Sequence, residues 1–259
     1  MTEEIEIPGS FPRGADITGQ RVVITGAGRG LGRLLAHAFS SSGASVALVA
    51  RTETDLKAVA AALPGPSLVQ AGDVTEATFN EAVADATVDE WGGVDVWICN
   101  AGISPILAGP CETDPAVWRE VLDVNLTGAF LGARAAARVM REGGRLIFTG
   151  SVLGERPREG LAAYSASKAG LVGLAKGLAL DLASAGITVN VVAPGWFDSP
   201  LVEDWMSNPK LSERVLAHTA QRRWGAATDL AGAYQFLASD ASAFVTGTVL
   251  NVDGGYLLV

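Results

Sequence analysis

Apolar residues fall along this chain in two alternating rhythms. Short, nearly unbroken aliphatic and β-branched runs stand at Arg21–Thr25, Ser45–Ala50, Ser67–Ala71, Val94–Cys99, Gly144–Gly150, Ile187–Ala193 and Val249–Val252. Between them apolar positions recur three and four apart, as with Leu31, Leu34, Leu35, Ala38 and Phe39. The first rhythm predicts buried strands and the second amphipathic helices. Helices are expected over Gly30–Ser42, Glu53–Ala62, Glu76–Trp91, Pro115–Arg141, Leu161–Ala185 and Thr228–Ser239. Local signals support the ends: Pro115 behind Asp114 as a first-turn proline, Thr52 and Thr228 as N-caps, and Gly186 as a stop. Strands that are apolar throughout need cover on both faces, and helices between them enforce parallel, right-handed crossovers. The expected fold is α/β: a Rossmann-like three-layer sandwich, a doubly wound seven-stranded parallel sheet with helices on both faces. An eight-unit barrel does not fit seven strands. Residues 1–18 read as a polar lead-in and 19–259 as one domain. The segment at about 198–224 breaks the rhythm and reads as a lid insertion.

Composition narrows the function. The chain has 259 residues, 49% hydrophobic and 18% charged, against about 25% charged in ordinary domains. That excludes disorder and implies a large core. A net charge of −9 gives no basic footprint for nucleic acid and no polybasic membrane anchor. No run of about 18 apolar residues offers a spanning helix, and Met1–Ser10 carries acids where a secretory leader carries bases. Two cysteines, Cys99 and Cys111, and two histidines suit a reducing cytoplasm and make no zinc spacing. The expected partner is therefore a small molecule, with neither nucleic acid nor membrane. The 31 glycines mark tight turns and close backbone approaches.

One such cluster, Thr25-Gly26-Ala27-Gly28-Arg29-Gly30-Leu31-Gly32, joins the first strand to the first helix. Glycines there let the backbone approach a pyrophosphate, and the helix start offers free N–H groups and its dipole. The spacing is G-x-x-x-G-x-G, from Gly26, Gly30 and Gly32, rather than G-x-G-x-x-G. A ligand-free strand–helix turn is the bland alternative. Asn100-Ala101-Gly102 ends the fourth strand, at the edge where α/β sheets bind ligands. Tyr164 and Lys168, four apart, share one helix face. A neighbouring ammonium is expected to pull the phenol's pKa down and make it a usable acid or base. An isolated Tyr–Lys pair of this kind is, by itself, more often purely structural.

In order, TGAGRGLG at 25–32, Asp73-Val74, NAG at 100–102, Asn125, Ser151, YSASK at 164–168 and PGW at 194–196 make the chain resemble the compact, single-domain branch of the short-chain dehydrogenase/reductase family. The likeness runs from about Gly19 to Tyr256. It implies hydride transfer between a nicotinamide cofactor and a carbonyl or secondary alcohol, with Tyr164 as general acid or base. Ser151 would polarise the substrate oxygen, and Lys168 would bond the nicotinamide ribose. Asn125 would bend its helix and hold a water behind Lys168. Asp73 and Val74 would meet the adenine, Asn100, Ala101 and Gly102 the adenosine ribose, and Pro194, Gly195 and Phe197 the carboxamide. Family members that use NAD(H) carry an acid where this chain has Ala50. Arg29 and Arg51 can instead clamp a 2′-phosphate, so NADP(H) is expected, with NAD(H) as alternative and Glu53 as a possible neutraliser of Arg51.

Ile103, Ser104, Ile106, Leu107, Leu153 and Trp196 are expected to line an apolar substrate pocket, with Arg156 and Arg158 on the surface. The resemblance also implies a homotetramer or dimer through the two long helices, whose alanines (Ala129, Ala133, Ala136, Ala137, Ala166, Ala169, Ala175, Ala179) suit close packing. Those alanines equally suit packing on the sheet. A catalytically silent cofactor-binding protein on the same fold is the alternative function. A serine hydrolase is disfavoured, because Thr149 stands where a nucleophile elbow needs glycine.

Overall fold

The computed structural model describes residues 16–104, 107–197 and 206–259. Seven strands form one parallel sheet: β1 (Arg21–Thr25), β2 (Ser45–Ala50), β3 (Ser67–Ala71), β4 (Val96–Cys99), β5 (Arg145–Thr149), β6 (Thr188–Pro194) and β7 (Val249–Val252). Their order is β3-β2-β1-β4-β5-β6-β7. The direction of winding therefore reverses between β1 and β4, and the crevice beyond their carboxyl ends is where such sheets bind ligands.

Side-chain alternation divides the core. From β1, Val22 and Ile24 face helices α1 (Gly30–Ser41), α2 (Glu53–Ala62) and α8 (Ala227–Ala238), packing with Leu35, Phe39, Leu56, Leu230 and Tyr234. Val23 points the other way, into a cluster with Val83, Ala133, Leu171 and Ala175 from α3 (Ala77–Trp91), α5 (Gly128–Val139) and α6 (Ala162–Leu182). Each large apolar side chain so buried contributes roughly 2 kcal/mol. Ile17, ahead of the expected domain start, is already in the first of these clusters; the rest of the lead-in, residues 1–15, lies outside the described residues.

Several expected elements change. The long helix 115–141 is not continuous: α4 (Pro115–Leu122) passes through a π-helical turn, Asp123–Thr127, into α5, which stops at Val139. Thr52 stands at the α2 start but its hydroxyl caps nothing. Helix α8 begins one residue before Thr228, and Asp229 caps it by accepting from the Ala226 N–H at 2.8 Å. The lid segment contains a helix, α7 (Pro209–Ala217), whose Asn208 cap accepts from Lys210 and Leu211. Residues 198–205 of that segment, and Ile106 of the expected pocket, lie outside the described residues. Asp114 and Gly186 behave as read, the first accepting from Ala116 N at 2.7 Å and the second at φ +70°.

Candidate active site

At the β1 turn, glycine is demanded by contact. A Cβ on Gly26 would sit 2.9 Å from Ala101 Cα, and one on Gly32 would sit 2.1 Å from the Gly26 carbonyl oxygen. Gly26 and Gly30 also hold positive φ, +70° and +55°, which suits glycine. Gly28 passes close to Asp55, where a Cβ would lie 3.2 Å from Asp55 Cβ. Arg29 occupies the α1 cap position in extended conformation, with no side chain capping the first amides. Those amides, with Leu31 packed behind them on the core, form a donor set suited to a phosphate. Arg29 and Arg51 stand exposed at its mouth. Glu53 does not neutralise Arg51; it pairs with Lys57 at 2.8 Å.

The loop after β4 is bound to this turn. Thr25 Oγ1 accepts from the N–H groups of Asn100 (2.9 Å) and Ala101 (3.0 Å), and the Asn100 amide donates to the Thr25 carbonyl at 2.9 Å. Asp73 spends Oδ1 on the Thr75 N–H and hydroxyl, both at 2.9 Å, so it closes its own turn rather than capping α3. Buried Val74 lies against Gly128. Beyond Pro194, Gly195 donates to Val252 O at 2.9 Å, with no room for a Cβ beside Asp253. Phe197 bridges to Gly225 and lays its ring on it.

Ser151, Tyr164, Lys168 and Asn125 converge opposite this turn. Ser151 caps a single 3₁₀ turn, Val152–Gly154, accepting from Leu153 N at 3.1 Å, and its side chain acts on the Tyr164 phenol, favouring ionisation. Gly154 lets that turn press on α6, since a Cβ there would be 3.0 Å from Ala169 N. Buried Lys168 donates from Nζ to the Thr149 carbonyl at 2.8 Å. Asn125, fully buried in the π turn, accepts from Ile103 N (2.7 Å) and donates to Ile103 O (3.0 Å) and Ser167 Oγ (3.1 Å). It thus pins the segment after Gly102 as a strand neighbour would. A Cβ on Gly102 would lie 3.5 Å from Lys168 Nζ and 3.3 Å from Asn125 Oδ1, which keeps this approach to the lysine narrow.

One electrostatic expectation is reversed. Burial pushes the Tyr164 phenol above its ordinary value, opposed by the Ser151 side chain and not by Lys168. The lysine lies beside the ring, Nζ 5.7 Å from its centroid, and its ammonium is directed to a carbonyl. Burial also brings Lys168 down to about 8. At neutral pH the site therefore holds a protonated phenol next to a largely protonated amine. Burial raises the Cys99 thiol as well, as befits a core position.

Of the expected pocket residues, Leu153 and Trp196 share a buried cluster with Leu161, Val215 and Tyr256, against which Tyr164 and Trp224 pack. Leu107 is exposed. Arg156 and Arg158 are half-buried rather than free on the surface: Arg156 donates to the Tyr256 and Val259 carbonyls, and Arg158 to the Tyr256 hydroxyl while lying over Trp196. Ile103, expected in the pocket, instead holds Asn125 through its backbone; among residues given no site role by the sequence, Thr25 and Thr149 bond site residues and Tyr234 bonds Thr149. Only Thr25 carried a signal, as the first residue of the glycine motif.

A doubly wound sheet with a glycine-rich phosphate turn and a Ser–Tyr–Lys group around a buried lysine defines a dinucleotide-dependent oxidoreductase class. Comparison with known proteins agrees. A family model described as enoyl-(acyl carrier protein) reductase matches residues 26–257. The 3-oxoacyl-[acyl-carrier-protein] reductase FabG of Escherichia coli (strain K12) is 36% identical over 245 residues, 93% of this chain and 98% of that protein. The 3beta-hydroxysteroid dehydrogenase 1 of Eggerthella lenta is 37% identical over 252 residues, 94% and 95% of the two chains. A Beutenbergia cavernae structure, provisionally assigned as an NAD(P) dependent gluconate 5-dehydrogenase with NADP bound at low occupancy, superposes with a TM-score of 0.88 at 34% identity, covering 94% and 99%. The chain belongs to the short-chain dehydrogenase/reductase family, oxidoreductases acting on carbonyls and alcohols. Among the described residues no helix is long and apolar enough to cross a membrane.

Proposed function

We propose that this protein is a cytoplasmic, NADP(H)-linked reductase of small to medium apolar ketones, with residues 19–259 as one catalytic domain. The observation that carries the reading is Tyr164 set beside Lys168, whose Nζ lies 5.7 Å from its ring, with burial keeping the phenol protonated, the state in which it can donate to a carbonyl oxygen. A bound nicotinamide dinucleotide supplies the hydride. Ser151 and Tyr164 then stabilise the oxygen as negative charge develops on it. Lys168 holds its ammonium beside the phenol ring and would bond the nicotinamide ribose. Gly26, Gly28, Gly30, Leu31 and Gly32 receive the pyrophosphate, Arg29 and Arg51 the 2′-phosphate, and Asp73, Val74, Asn100, Ala101 and Gly102 the adenosine. Pro194, Gly195 and Phe197 border the nicotinamide.

The apolar wall of Leu153, Leu161 and Trp196 behind Tyr164 favours a hydrocarbon flank over a polyol. Following nicotinamide absorbance with NADPH and NADH over ketones, hydroxysteroids, quinones, sugar acids and acyl thioesters should show NADPH consumption with apolar ketones. NADPH binding without turnover anywhere in this panel would establish a silent binding protein instead.

The assembly reading also changes its footing. Ala129, Ala133, Ala136, Ala175 and Ala179 are consumed by the core. The outward row on α6 is Ala162, Ala166, Ala169, Gly173, Gly177 and Leu180, with open space over both glycines and Leu180 82% exposed. We assign a homotetramer that closes on this row. Light scattering should give a tetrameric mass, reduced in Gly173→Glu; a monomeric wild type would refute it.

A further inference from the structure

Thr149, the last residue of β5, is engaged at both ends. Its carbonyl is the acceptor for Lys168 Nζ at 2.8 Å. Its hydroxyl lies 3.2 Å from Asn100 Oδ1 and 2.8 Å from the hydroxyl of Tyr234. Tyr234 belongs to α8, on the opposite face of the sheet from α6, and is completely buried.

The proton assignments follow from what each atom can do. The Asn100 amide nitrogen is fixed by its bond to the Thr25 carbonyl, which can only accept. Asn100 Oδ1 must then accept from Thr149, which uses that hydroxyl's single proton. Tyr234 is left as the donor to Thr149 Oγ1. The result is a one-way chain, Tyr234 to Thr149 to Asn100 to Thr25, with Thr25 Oγ1 receiving the Asn100 and Ala101 N–H groups at its far end. Thr149 and Thr25 are buried, so water does not readily substitute for a missing partner. The chain joins the turn that would hold the cofactor to the carbonyl that holds the lysine.

We propose that Tyr234 and Thr149 are positioning residues for the reductase: through this directional chain they fix Lys168 against the sheet and Asn100 against the β1 turn. Burial keeps the Tyr234 phenol protonated well above its ordinary range, so the donor persists across working pH. The inference rests on the roles proposed above for Tyr164 and Lys168.

The test compares Tyr234→Phe, Thr149→Val and Thr149→Ser with wild type and with Tyr164→Phe. Each is measured for NADPH affinity by fluorescence titration, for thermal midpoint, and for kcat and KM with the best ketone of the panel. The two hydroxyl deletions should lower kcat about fivefold and weaken NADPH binding severalfold, with ketone KM nearly unchanged. The double variant Tyr234→Phe/Thr149→Val should be no worse than Thr149→Val, because the two act in one chain. Thr149→Ser, which keeps the hydroxyl, should restore kcat. Wild-type kcat and NADPH affinity in Tyr234→Phe and Thr149→Val, with Tyr164→Phe inactive, would overturn the positioning role alone. An active Tyr164→Phe would overturn the underlying reading instead. A fall in thermal midpoint with no change in kcat or NADPH binding would make the pair merely structural and also defeat the proposal.

Discussion

Tyr164→Phe is expected to lose turnover by about 10³-fold while still binding NADPH. Positioned general acids contribute roughly 10²–10⁴-fold, so the loss corresponds to about 4 kcal/mol of barrier. Phenylalanine keeps the ring that packs against Leu153, Leu161 and Trp196 and removes only the hydroxyl. The thermal midpoint should therefore move little. The accompanying pH behaviour has a definite sign. Reduction needs the phenol protonated, which its raised pKa secures through neutral pH, and needs the Lys168 ammonium, whose pKa lies at about 8. As pH rises through that value the lysine loses its proton and kcat for reduction should fall, well before the phenol itself titrates. A stopped-flow or steady-state pH profile tests this directly. Near-normal turnover in Tyr164→Phe, or a kcat flat from pH 7 to well above 8, would remove the phenol from the chemistry or the ammonium from its support.

How far this site could be foreseen varies with the kind of interaction. The inner strands were legible because they are buried on both faces, so nearly every position in a run such as Ser45–Ala50 is apolar. Tyr164 and Lys168 were legible as a pair because helical spacing alone aligns them. The π turn was not: the apolar pattern continues through Asp123–Thr127, and the extra residue is accommodated by long-range bonds from Asn125 to Ile103. Helix α7 was missed although Asn208-Pro209 is an ordinary helix start, because the surrounding aromatics drew the segment into a lid. The Tyr164 pKa was misjudged because sequence shows a charged neighbour but not the direction in which that neighbour points, nor the burial that opposes it. Thr149 and Tyr234 are 85 residues apart, and nothing local marks either as a partner of the lysine.

Cofactor choice should yield to two arginines. Arg29→Ala combined with Arg51→Ala is expected to weaken NADPH binding by about 10²-fold or more and leave NADH binding within about twofold. Hydrogen bonds to charged groups are worth about 1.5–3 kcal/mol each, and only the 2′-phosphate distinguishes the two ligands. The structure favours both arginines as receivers. Both are exposed, Arg29 within the β1 turn and Arg51 just past β2, neither is drawn into an ion pair with a described residue, and the nearby Glu53 is committed to Lys57. Ala50, at the end of β2, offers no carboxylate to a ribose 2′-hydroxyl and no repulsion to a phosphate. Adding Ala50→Asp to Arg51→Ala should therefore carry the preference past parity towards NADH. Because the clamp is solvent-exposed, the NADPH preference of the wild type should also shrink as salt rises. Dissociation constants for both nucleotides at two salt concentrations decide the matter. A wild type that binds NADH more tightly, or a double variant with unchanged NADPH affinity, would show that the guanidiniums do not read the 2′ position.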